Sequence, residues 1–167
     1  MPPDRASLTA AVGAALADLQ AAYDDRDRAL AEALGINRTD LRCLDLIVRG
    51  GPQTATELGA RLHLTRGSMT TLIDRLELAG YVERQDDPHH GRRKLVTPTE
   101  TLFEALRPLL KAAVDNGHAR LAKYKVAELQ LIFDFLRDTL SGQSAVVEAI
   151  RAVGLRSPES QAAPLPR

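Results

Sequence analysis

The sequence predicts a mainly α-helical protein carrying a small β wing of two or three strands, and three observations carry that reading. Apolar residues recur at helical spacing near both ends of the chain. The stretch Thr54–Thr99, TATELGARLHLTRGSMTTLIDRLELAGYVERQDDPHHGRRKLVTPT, sets two short amphipathic helices across a tight turn and follows them with a basic hairpin. With 167 residues, 44% hydrophobic and 26% charged, the chain is long enough to bury a core without disulfides or metal.

From Ser7 to about Leu34, the residues Leu8, Val12, Leu16, Leu19, Tyr23, Leu30 and Leu34 fall close to one helical stripe. Asp18, Asp24, Asp25, Asp27 and Glu32 take the far side. Gly35 stops that helix, because a left-handed residue without a Cβ is unstrained there. A second helix is expected to begin near Asn37–Asp40, where short polar side chains cap free N–H groups. It runs through Leu41, Leu44, Ile47 and Val48 to Gly50-Gly51-Pro52. Thr54 and Glu57 form the T-x-x-E capping signature of a third helix over about Ala55 to His63, with Leu58 and Leu62 on its buried stripe.

Thr65 caps a fourth helix that ends at Gly80 and sets Met69, Leu72, Ile73, Leu76 and Ala79 on one face. Its opposite face shows Arg66, Ser68, Thr70, Thr71 and Arg75, and Gly67 in the first turn leaves room for a phosphate backbone. Two strands are expected over Tyr81–Gln85 and Arg92–Thr97, joined by the loop Asp86-Asp87-Pro88-His89-His90-Gly91. Past Pro98 one helix carries Leu102, Phe103, Leu106, Leu109, Leu110, Gly117 and Leu121. Another carries Val126, Leu129, Ile132, Phe133, Leu136 and Leu140 and continues through Val146 and Ile150. The tail from Ser157, SPESQAAPLPR, is expected to be disordered.

These elements group into an N-terminal dimerisation helix (1–36), a winged helix-turn-helix DNA-binding domain (37–99), C-terminal dimerisation helices (100–156) and the tail (157–167). The apolar stripes at the two ends exceed what so small a winged domain covers. Leu8, Val12, Leu16 and Leu19, with Leu129, Ile132, Phe133, Leu136 and Leu140, are therefore expected to pair across a twofold axis in a homodimer.

The formal net charge is zero, yet residues 61–99 carry seven basic and five acidic side chains. Arg92, Arg93 and Lys94 lie in a span, 88–96, without an acid and with His89 and His90 beside them. Counterion release depends on such local contacts, so a neutral total is compatible with double-stranded DNA as partner. The exposed face of the fourth helix is rich in hydroxyls, which donate to or accept from base edges. A solvated helix more often shows Glu and Lys.

Three other classes compete. A helical interaction or dimerisation module with an incidental wing would ignore the DNA upstream of its own gene in a gel shift. An architectural DNA protein would bind random duplexes as tightly as any operator. An enzyme needs a convergent acid, base or nucleophile; neither Ser68 nor Ser141 sits in a nucleophile elbow, and no glycine-rich phosphate loop appears.

No metal or cofactor is expected, since His63, His89, His90 and His118 lack the spacing of a metal site. Cys43 lies amid Leu41, Leu44 and Ile47 and reads as a small core residue. A single cysteine, the lack of a long apolar run and an N-terminus unlike a secretory leader place the protein in the cytoplasm, away from membranes.

The chain resembles the MarR family of bacterial transcriptional regulators from about Ser7 to Val153. TRGSMTTLIDRLELAGYV, Thr65–Val82, is similar to the family's recognition helix and its exit, and NRTDLRCLDLI to the helix before it. PHHGRRKLVTPT, Pro88–Thr99, matches P-x-D-x-R-x-x-L-V-x-L-T in register, with His90 in place of the aspartate and Pro98 in place of the second leucine.

The resemblance implies a homodimeric regulator, a repressor, that reads a near-palindromic operator and is released by a small aromatic or lipophilic acid. Thr65, Gly67 and Ser68 at the helix start would hold phosphates, while Arg66, Thr70, Thr71 and Arg75 reach bases. Arg92, with Arg93 and Lys94, would grip the flanking minor groove. His90 adds positive charge toward phosphate as pH falls, because imidazole ordinarily gains its proton near neutrality. DNA affinity is expected to rise modestly as pH falls toward about 6; a His90→Asp variant with the same pH dependence in fluorescence anisotropy would remove that role.

Overall fold

A computed structural model describes residues Asp4–Val153. The tail expected from Ser157 lies outside the described residues. Helix α1 (Arg5–Leu34) starts at Asp4, whose carboxylate accepts the Ser7 N–H at 2.7 Å. It ends at Gly35, which adopts the left-handed conformation (φ 66°) expected of it and returns its N–H to the last turn. Helix α2 (Arg38–Gly50) is capped by Asn37, and its buried face holds Leu41, Cys43, Leu44 and Ile47.

A two-residue strand β1 (Gln53–Thr54) precedes α3 (Ala55–Leu62), whose capping box forms in both directions between Thr54 and Glu57. His63 lies just beyond α3, where a helical residue was expected. It takes the left-handed cap (φ 55°), and Leu64 then bonds back to Gly59, closing the turn between α3 and α4.

Helix α4 (Arg66–Leu78) is capped by Thr65 and buries Met69, Leu72, Ile73 and Leu76. Ala79, expected on that face, is instead the exposed C-cap. Strands β2 (Val82–Asp86) and β3 (Lys94–Pro98) form the wing, and the sheet order is β1-β3-β2, antiparallel throughout. Both wing strands start later than their residue types suggested.

For β2, Tyr81 still bonds back to Leu76 at the end of α4; for β3 the reason lies at the tip. The Asp87 N–H donates to the Arg93 carbonyl at 3.0 Å and the Arg93 N–H to the His90 carbonyl at 2.8 Å, which folds 87–93 into a closed turn and leaves Arg92 and Arg93 outside β3. Pro98 still pairs with Val82 at the far end. Helices α5 (Glu100–Leu121) and α6 (Val126–Val153) complete the order, joined by a short turn.

The chain divides into two compact units, Met1–Ala113 and Val114–Arg167, so the break falls within α5. In the first unit Cys43, Leu44, Ile47, Leu58, Met69, Leu72, Ile73, Leu76, Val82, Val96 and Leu102 make one core in which α2, α3, α4, the sheet and the start of α5 meet. Each such aliphatic side chain stabilises the fold by about 1.5–3 kcal/mol when fully buried. A satellite of Ala31, Leu34 and Leu41 joins α1 to it, and the Tyr81 hydroxyl donates to the Leu34 carbonyl at 3.0 Å. No helix among the described residues is long and apolar enough to cross a membrane.

The Cys43 thiol is fully buried, and burial, then the nearby Asp40 carboxylate, pushes its pKa up to about 12. Its place in the core is as the sequence suggested.

Candidate nucleic-acid interface

The exposed side of α4 has two halves of different chemistry. At its start the Thr65 oxygen accepts the Ser68 N–H at 3.3 Å and lies 2.9 Å from the Ser68 hydroxyl. One turn further, the Thr70 hydroxyl donates to the Arg66 carbonyl (3.0 Å) and the Thr71 hydroxyl to the Gly67 carbonyl (3.2 Å). Each threonine thus directs its proton inward and keeps its oxygen lone pairs and methyl for an approaching molecule, which suits amino groups on base edges and thymine methyls. Arg66 is exposed and pairs with no carboxylate among the described residues. Among the described residues nothing lies within 4 Å of where Gly67 would carry a Cβ.

Arg75, expected to reach bases, is exposed on α4 but already holds a carboxylate of the protein. Its Nε and Nη2 donate to the two oxygens of Asp40 at 3.1 and 2.6 Å, and Asp40, 2% exposed, also accepts from the Asn37 amide at 2.9 Å. The hydrogen bonds from Arg75 to Asp40, together with that carboxylate's charge, hold the guanidinium above its ordinary pKa. The pair joins the start of α2 to the middle of α4.

The second half of α4 is acidic, a point the exposed-face reading left out. Arg84 of β2 binds both Asp74 (2.7 Å) and Glu77, and so ties α4 to the wing.

In the wing, the basic run proves largely compensated. Lys94 pairs with Asp86 at 2.7 Å, and Arg93 reaches Glu57 of α3 at 3.1 Å and Asp87 at 3.8 Å. Asp87 is buried, and its Oδ1 accepts the His89 N–H at 2.8 Å. That bond first, with His90 and Arg93 adding their charge, holds its carboxyl below the usual range. Glu57 is held low as well, by the Thr54 N–H and hydroxyl and then by Arg93. His90 is exposed at the tip. Arg92 is exposed too and has no hydrogen bond or ion pair among the described residues.

Thr65, Arg66, Gly67, Ser68, Thr70 and Thr71 therefore cluster at one end of α4, and Arg92 and His90 stand at the wing tip. Asp40, Glu57 and Asp87, none of them singled out from sequence for this role, position the neighbouring cations.

Two other surfaces matter. Leu8, Val12 and Leu19 on α1, and Phe133, Leu136 and Leu140 on α6, are exposed, while Leu16, Leu129 and Ile132 are half-buried. A groove of about 600 Å³ in the first unit is floored by leucines, among them Leu30, Leu41, Leu44 and Leu106, and rimmed by arginines. Of these, Arg26, Arg38 and Arg49 pair with Asp27, Asp24 and Asp45, whereas Arg42 has no such partner among the described residues.

Residues 34–93 match the sequence profile of the MarR family. The HTH-type transcriptional regulator YcgE of Bacillus subtilis (strain 168) is 39% identical over 109 residues, which is 65% of this chain and 71% of that protein. A MarR family protein from Bacillus stearothermophilus shares the fold with a TM-score of 0.61 at 19% identity, over 85% of this chain and 99% of its own. A MarR-like transcriptional regulator from Thermotoga maritima does so with a TM-score of 0.60 at 20% identity, over 77% and 94%.

Proposed function

Because the chain belongs to the MarR family and is a DNA-binding transcriptional regulator, we propose that it acts as a homodimeric repressor on a near-palindromic operator and leaves it when a small organic acid binds. The observation that carries the DNA-facing surface is the pairing pattern. Of the cations on α4 and the wing, Arg66 and Arg92 lack a carboxylate partner among the described residues, and they mark the hydroxyl-lined helix start and the wing tip.

A helix N-terminus with free N–H groups and an uncompensated arginine favours phosphate. The wing arginine supplies a second, separate grip on the duplex.

The exposed leucines and phenylalanines of α1 and α6 support dimerisation, because apolar stripes of this length are rarely left to water. A twofold pair would place two α4 helices in successive major grooves, about 34 Å apart. Selection of bound duplexes from a random pool tests this directly. It should return inverted half-sites spaced by about one helical turn; recovery of single, unpaired half-sites, or of no consensus, would overturn the operator reading.

The leucine-floored groove fits the effector. Arg42 is its uncompensated cation, so a carboxylate can pair there while an aromatic or aliphatic body covers the leucines. Arg42→Met is expected to keep DNA affinity within about twofold and to abolish release by a panel of aromatic and fatty acids. Unchanged release by that variant would move the effector elsewhere.

A further inference from the structure

The wing's own arginines divide into two roles, on the premise that the protein binds DNA through this wing. Arg93 is fixed at every level. Its N–H donates to the His90 carbonyl, its carbonyl accepts from Asp87, and its guanidinium spans from Asp87 to Glu57, thirty-six residues away.

Glu57 is equally fixed. While Oε1 takes Arg93 at 3.1 Å, Oε2 accepts the Thr54 N–H and hydroxyl at 2.8 Å each, in the capping box at the start of α3. One carboxylate thus serves a helix cap and the wing at once. In this chain His90, not a carboxylate, stands at the wing tip, and the carboxylates that reach Arg93 are Asp87 and Glu57.

We propose that Glu57 is a positioning residue for DNA binding: through Arg93 it braces the wing against α3, which makes Arg93 a strut and leaves Arg92 as the arginine the wing offers to the duplex.

The sign of one substitution separates this from simple electrostatics. Removing a carboxylate near a phosphate backbone ordinarily strengthens DNA binding, because one repulsion is lost. The brace requires the reverse. Glu57→Gln keeps the capping box, since glutamine serves at that position, yet weakens the ion pair. It should lower affinity about twofold to fivefold, the scale of a partly exposed ion pair. Arg93→Gln should do the same with the salt slope intact, whereas loss of a phosphate contact would reduce that slope by about one per wing. The double variant should bind no more weakly than either single, as expected when both remove one interaction.

Fluorescence anisotropy on a duplex selected by the wild type, repeated across salt concentrations, gives these values. Hydrogen exchange on the free protein gives an independent one: the amides of His90 and Arg93 should exchange faster in Glu57→Gln. Wild-type binding combined with equal or tighter binding by Glu57→Gln, unchanged exchange at the tip, or a reduced salt slope in Arg93→Gln overturns the brace alone. If the wild type itself selects and binds no duplex, the DNA-binding premise fails and the brace with it.

Discussion

Ile73→Ala is expected to cost about 2–5 kcal/mol of folding stability, the range for truncating a fully buried isoleucine when the surroundings only partly relax. Ile73 is 0% exposed on the inner face of α4, in the cluster where α2, α3, the sheet and α5 converge, so few neighbours are free to close the gap. Domains of this kind are stable by only about 5–15 kcal/mol in total. A urea titration followed by circular dichroism reads the change as a shift in midpoint at constant slope. Leu78, five residues along the same helix, is 90% exposed and provides the contrast: Leu78→Ala should stay within about 0.5 kcal/mol of the wild type. Equal losses in the two variants would show that α4 buries a different face.

Arg92→Ala is the largest expected effect on DNA binding. The variant should lose affinity by a factor on the order of ten at every duplex sequence, and the dimer's salt slope should fall by about two, one for each wing. The side chain is exposed and makes no hydrogen bond or ion pair among the described residues, so its removal should leave the fold unchanged, and melting temperature serves as the control. A variant with wild-type affinity and slope would show that the wing does not touch DNA.

Local chemistry was legible in the sequence, and distant pairing was not. The caps at Gly35, Asn37, Thr54 and Thr65 stand in the structure where the residue types place them, because each is decided by hydrogen bonds between residues three or four apart. The same is true of the buried stripe of α4 from Met69 to Leu76, though not of Ala79. Strand β1 left no signal, since two residues after a proline are too short for any periodicity and exist only because β3 pairs with them.

Arg75 was read as reaching bases, and its carboxylate partner, thirty-five residues earlier, left no local signal. Likewise, the basic run 92–94 looked uncompensated because Asp86 and Asp87 lie just outside the span 88–96, while Glu57 belongs to α3 and was legible only as a cap. Charge counted along the chain overstates the cationic surface; charge counted after folding leaves Arg92 at its tip.

The protonated, fully enclosed sulfur of Cys43 gives the molecule a built-in chronometer. Burial pushes this thiol's pKa up to about 12, so the ionised form that alkylating reagents attack is scarce near neutrality. Such reagents reach it when the core around Cys43 opens, so the rate of labelling follows how often that opening occurs.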